Sequence, residues 1–145
     1  MTRFANAAVN EIQVDEIRVP IASDQDIIAA RQQGRALAVK LDFSSGDSTL
    51  IATAISELAR NIVSYARRGE IRIKCTHNSD RPGIVIVASD DGPGIRDTRQ
   101  AMRDGFSTSG SLGVGLPGVR RLMDEFEIVS ELGRGTTVTV KKWKL

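Results

Sequence analysis

Glu57 and Asn61 stand four residues apart in a stretch where Leu50, Ile51, Ala54, Ile55, Leu58 and Ile62 recur at helical spacing. On a helix the two polar side chains project from one side, beside the apolar stripe. A carboxylate and an amide at the edge of a buried face are costly unless something pairs with them. Water or Arg60 at a solvent boundary could do so, and so could a ligand site. Asp90-Asp91-Gly92-Pro93-Gly94 follows the most apolar run of the chain. A carboxylate at a strand end can accept a hydrogen bond from an exocyclic amine such as that of adenine, and glycines let backbone approach a planar ring. Read alone, the segment is equally an Asp-Gly and Pro-Gly turn.

Two further segments could contact a ligand through backbone. In Gly110-Ser111-Leu112-Gly113-Val114-Gly115-Leu116-Pro117-Gly118 a glycine-rich loop runs into a helix. Its Pro117 suits a first helical turn, where an amide hydrogen has no intrahelical partner. Exposed N–H groups at the positive end of a helix dipole cradle phosphates, although such glycines serve as often as the hinge of a lid. The preceding residues are not a strand, so this is no dinucleotide fingerprint. Gly133-Arg134-Gly135-Thr136-Thr137 is a turn feeding a strand, on which one threonine faces inward and the other outward.

The elements that must position these residues follow from periodicity and punctuation. Glu11 to Ile21 alternates with a slip at Asp15-Glu16, as one or two strands. Ser23 and Asp24 can cap a helix carrying Ile27, Ala30, Arg31, Gly34, Leu37, Ala38 and Leu41. Asp47 or Ser48 can cap the second helix, which ends before Gly69. Strands are expected over Glu70 to Thr76 and Ile84 to Asp90, joined through Asn78 to Gly83, with this pair at the centre of the sheet. Gly92 to Gly113 is a long loop with room for a short helix near Asp97 to Arg103, and loops of such length usually have a function. A helix from Leu116 or Pro117 to about Glu125 precedes a closing hairpin, Phe126 to Ser130 and Thr136 to Trp143. The order predicts an α+β two-layer sandwich, a mostly antiparallel mixed sheet covered on one face by helices.

Composition bounds the rest. At 145 residues, 41% hydrophobic and 26% charged, the chain has the profile of one soluble domain spanning 1–145. Cys75 is the only cysteine and His77 the only histidine, which excludes an internal disulfide and a Cys/His zinc cluster. No segment approaches the roughly 20 apolar residues of a membrane span, and Met1 to Asn10 lacks the apolar run of a signal peptide, so a cytoplasmic location is expected. Twenty basic and eighteen acidic side chains are interspersed and aromatics make up 4%, which argues against a nucleic-acid groove.

Taken in order, Glu57-x-x-x-Asn61, Asp90-x-Gly92-x-Gly94, Gly113-x-Gly115-x-x-Gly118 and Gly135-Thr136-Thr137 resemble the N, G1, G2 and GT boxes of the GHKL (Bergerat-fold) ATPases and kinases. The resemblance runs from about residue 47 to the end. Phe106-Ser107-Thr108-Ser109 and the run from Gly115 to Phe126 are more similar to the stressosome switch kinases than to the anti-sigma kinases. The resemblance implies an ATP and Mg²⁺ site in which Asn61 gives its oxygen to the ion together with the ATP phosphates. Asp90 would accept from the adenine amine beside Gly92 and Gly94, while Gly113, Val114, Gly115, Leu116 and Gly118 wrap the phosphates under a lid at about 95–113. Glu57 would be the base or orienting group for the attacking hydroxyl, with Thr136 or Thr137 supporting from the last strand. The implied substrate is a serine or threonine on STAS-domain antagonist and scaffold proteins of the stressosome, whose phosphorylation frees the kinase to activate a partner phosphatase in the general stress response. An anti-sigma factor kinase acting on an anti-anti-sigma factor is the second reading. A non-catalytic, nucleotide-dependent protein-binding module is the third.

Overall fold

The computed structural model describes residues 16–95, 102 and 115–145. The alternation over 11–15, the possible helix near 97–103 and nearly all of the expected lid therefore lie outside the described residues.

Strand β1 (Ile17–Ile21) leads into helix α1 (Asp24–Lys40). Asp26 closes its first turn by accepting from the backbone N–H groups of Ala22 and Ser23, at 2.8 and 3.1 Å. Helix α2 (Ser45–Asn61) starts earlier than expected, because Ser44 is its cap: the Ser44 hydroxyl accepts from the Asp47 N–H at 3.0 Å. That leaves Ser48, one of the expected caps, fully buried inside the helix. After Asn61 the chain does not stop but widens into a π-helical turn (Ile62–Ala66), which ends at Arg67 with φ 73°.

Strands β2 (Gly69–Asn78) and β3 (Arg81–Asp90) are longer than the sequence suggested, with only Ser79 and Asp80 between them. Helix α3 (Gly115–Leu122) precedes strands β4 (Glu125–Glu131) and β5 (Gly135–Trp143). The sheet order is β1-β2-β3-β5-β4, with β3 in the middle and all four pairings antiparallel.

Register decides which face is covered. Val19, Ile71, Ala88, Val138 and Ile128 form one row across all five strands, and Ile17, Ile73, Ile86, Val140 and Phe126 form the next. These rows pack against Ile27, Ala30 and Leu37 of α1, Ile51, Ile55 and Leu58 of α2, and Val119 of α3. Each such aliphatic side chain gains about 1.5–3 kcal/mol on full burial. The opposite face carries Arg18, Arg72, Val87, Thr139 and Glu127 in a row. Its facing arginines are relieved by Glu16, 3.0 Å from Arg18, and by Glu70, 3.5 Å from Arg72. One polar and one helix-covered face make the expected α+β sandwich, with the open end of β3 at Asp90.

Candidate functional site

Asp90 ends the central strand with its carboxylate half engaged. Oδ1 accepts from the Gly92 N–H at 2.8 Å and from the Thr136 N–H at 3.3 Å. Oδ2 has no partner among the described residues. Asp90 is thus fixed by backbone before any ligand arrives.

The closing hairpin supports that arrangement. Thr136 pairs with Ser130, their hydroxyls 2.8 Å apart, and Ser130 Oγ also accepts from the Ile95 N–H at 2.6 Å. The Gly133 N–H donates to the Pro93 carbonyl at 2.9 Å, so the turn after β3 is tied to the turn between β4 and β5. Gly94, at φ 81°, lies against the Glu131 carbonyl in this junction. Gly135 has φ 104°, and a side chain on it would run into the Asp90 carbonyl. Alternation places Thr136 on the face of Asp90, whereas Thr137, paired with Ser89 and Val129, is on the opposite face.

The end of α2 is laid against the same strand end. A Cβ on Gly69 would lie 2.9 Å from the Asp90 Cβ and 3.0 Å from Ile62 Cγ2, and one on Gly92 would lie 2.6 Å from the Ala66 Cβ. The π turn therefore abuts Asp90 and Gly92, and Asn61 immediately precedes it. Such turns put an extra residue into one helical turn and frequently occur at functional sites. The Asn61 side chain is half-buried and makes no hydrogen bond within the described residues, leaving its amide oxygen available.

Glu57 is 7% exposed and, with Ser48, one of the two polar or charged side chains that are buried among the described residues. Its Oε2 accepts from Arg60 Nη1, one turn further along α2, and its Oε1 accepts from the Gly115 N–H at 3.2 Å. Gly115 opens α3 at φ 67°, and its N–H belongs to the four donors that a helix leaves unpaired at its start. The carboxylate at that end also meets the positive end of the α3 dipole. Leu116, Pro117 and Gly118 are buried in the following turn. Gly113 and Val114 lie outside the described residues.

Three separate contacts thus link four of the sequence segments: Glu57 ties α2 to α3, the π turn packs on Gly92, and the Thr136 N–H donates to Asp90. Among the described residues no three His, Cys, Asp or Glu side chains cluster as a metal cage. A magnesium ion needs none, since it keeps several waters and binds through one or two protein oxygens plus phosphates. The Asn61 amide oxygen, which has no partner among the described residues, is of that donor type. Arg60 and Ser130 were not singled out as site residues by the sequence. Arg60 is signalled only by its spacing of three from Glu57, and Ser130 by nothing local.

Residues 46–145 match the family described as histidine kinase-, DNA gyrase B-, and HSP90-like ATPase. The chain is 53% identical over 129 residues to the serine/threonine-protein kinase RsbT of Bacillus subtilis, covering 89% of this chain and 97% of that one. It is 31% identical to an anti-sigma F factor of Clostridium beijerinckii, over 84% of this chain and 89% of that one. A crystal structure of the RsbU and RsbW domains of a Mycobacterium tuberculosis protein superimposes with a TM-score of 0.58 at 20% identity, covering 90% of this chain and 33% of that one, and shows the shared fold. Strand order, the placement of the boxes and the family match over two thirds of its length together say that the chain belongs to the histidine kinase-, DNA gyrase B-, and HSP90-like ATPase family.

Proposed function

We propose that the chain is a Mg-ATP-dependent serine/threonine protein kinase that phosphorylates STAS-domain antagonist and scaffold proteins of a stressosome in the cytoplasm, and when released activates a partner phosphatase. The observation that supports this reading is Asp90, pinned at the end of β3 by Gly92 and Thr136, with the π turn that follows Asn61 packed on Gly92 and Glu57 buried one turn before Asn61 on α2. The 53% identity to a kinase named RsbT supports the choice of reaction and of biological setting.

In this mechanism Asp90 Oδ2 accepts from the adenine amine, while Gly92 and Gly94 let the turn after β3 pack closely on Ala66 and on the Glu131 carbonyl beside it. Asn61 would hold Mg²⁺ against the phosphates, and the ion when bound supplies charge neutralisation there. Backbone N–H groups from Gly113 to Gly118 cradle the phosphates. Thr136 holds Asp90 in register. Glu57 takes the proton of the acceptor hydroxyl as that oxygen bonds to the γ-phosphorus. The bond from phosphorus to the bridging oxygen breaks and ADP leaves with that electron pair.

Incubation with radiolabelled Mg-ATP and purified STAS-domain proteins tests the reading. Label on a serine or threonine of a stressosome scaffold is the expected result. Transfer only to an anti-anti-sigma factor would instead favour the anti-sigma reading, which the 31% identity to an anti-sigma F factor keeps in view. No transfer to either would leave a non-catalytic binding module.

A further inference from the structure

We infer that Arg60 is a positioning residue for proton transfer: it holds the Glu57 carboxylate in place when a nucleotide takes the Gly115 N–H away. The inference rests on the phosphotransfer reading and on Glu57 as its base. A carboxylate as enclosed as that of Glu57 needs partners, and the described residues provide two. They differ in kind. Gly115 lies in the glycine-rich run proposed to cradle phosphates, so its N–H is a donor that a phosphate oxygen would claim. Arg60 is on the same helix as Glu57, three residues on, and its side chain is 40% exposed, reaching the carboxylate from the rim.

These positions assign the two carboxylate oxygens separate tasks. In the described state Oε1 already accepts from the Gly115 N–H, which uses one of its two lone-pair directions and turns the carboxylate toward α3. Once a phosphate engages Gly115, Oε1 is released toward the reacting hydroxyl and Oε2 remains on Arg60. Loss of the Gly115 contact alone would let the buried carboxylate turn about its side-chain torsions. A guanidinium suits the holding task, because its planar array of donors fixes a carboxylate in direction as well as distance. Arg60 touches neither substrate in this scheme. It acts through Glu57, so its removal should slow the chemical step and leave nucleotide binding nearly intact.

The test compares Arg60→Met, Arg60→Lys, Glu57→Gln and the Glu57→Gln/Arg60→Met double variant in transfer from Mg-ATP to a STAS-domain acceptor. Affinity for a fluorescent ATP analogue and melting temperature are measured in parallel. Arg60→Met is expected to lower kcat roughly 10- to 100-fold while KM and analogue affinity stay within about threefold. Arg60→Lys should restore part of kcat. The double variant should be no slower than Glu57→Gln, since Arg60 has nothing left to orient. An unchanged kcat in Arg60→Met overturns the inference. So does a large loss of analogue affinity with kcat intact, which would make Arg60 a phosphate contact, and so does a further loss in the double variant. Full transfer by Glu57→Gln, or none by the unaltered chain, sinks the underlying reading and the inference with it. A fall in melting temperature alone marks a structural ion pair and also overturns it.

Discussion

On the proposed reading one Asp90 carboxylate serves two ends, and its oxygens can be separated by substitution. Asp90→Asn can keep a carbonyl oxygen toward Gly92 and Thr136, at the cost of turning an NH₂ group toward the adenine amine. Donor would then face donor. Hydrogen bonds to a charged acceptor contribute about 1.5–3 kcal/mol, so affinity for ATP should fall roughly 10- to 100-fold or more, with little change in thermal stability. Titration calorimetry reads this directly, and unchanged affinity would remove Asp90 from the adenine pocket. Glu57 calls for a similar choice of replacement. Glutamine retains an oxygen for the Gly115 N–H and cannot take a proton, so Glu57→Gln should bind nucleotide while transferring phosphate some 10²- to 10⁴-fold more slowly. If its transfer rate matched that of the unaltered chain, the base would have to be sought elsewhere.

At the level of elements, the junction between β3 and the β4–β5 turn depends on backbone that only glycine fits. Gly133 and Gly135 both have positive φ, 81° and 104°, but only the second is packed, against the Asp90 carbonyl. Gly135→Ala should therefore cost about 2–4 kcal/mol, combining left-handed strain with displacement of Asp90, and Gly133→Ala about 1 kcal/mol. Equal losses in urea unfolding would mean the junction is slack. This junction also marks how far the sequence could be read. Helices α1 and α2 were visible because their apolar residues repeat over several turns, and each box fell on an identifiable helix, strand end or turn. The Ser44 cap was hidden among neighbouring serines and aspartates, any of which has the right chemistry. Pro82 and Gly83 suggested a loop, yet they sit at the start of β3, where its pairing with β5 only begins at Gly83, so a missing N–H is tolerated. The π turn has no local signature; what the structure adds is that its last residue, Ala66, packs on Gly92. Likewise the choice of Thr136 over Thr137 on the Asp90 face depends on strand register, a long-range property.

Across the whole molecule, the helix-covered face of the sheet forms a continuous apolar core, whereas the end of β3 is held by polar contacts between segments far apart in the chain. Asp90 reaches Thr136 across 46 positions and Glu57 reaches Gly115 across 58. A nucleotide bound there would touch α2, β3, the β5 start and α3 at once, so its binding energy should add to global stability rather than to one loop. At a free concentration 100 times Kd that linkage amounts to about 2.7 kcal/mol. For a chain of this size the expected rise in melting temperature is roughly 5–10 °C. Glu57→Gln should keep the full rise, because the base contributes to turnover more than to binding. Asp90→Asn at the same ATP concentration should lose half of it or more, since a 10- to 100-fold weaker Kd reduces the linkage to about 0.4–1.4 kcal/mol. Differential scanning fluorimetry with Mg-ATP separates these cases, and a melting temperature indifferent to Mg-ATP in the unaltered chain would mean that the gathered segments do not form a nucleotide site.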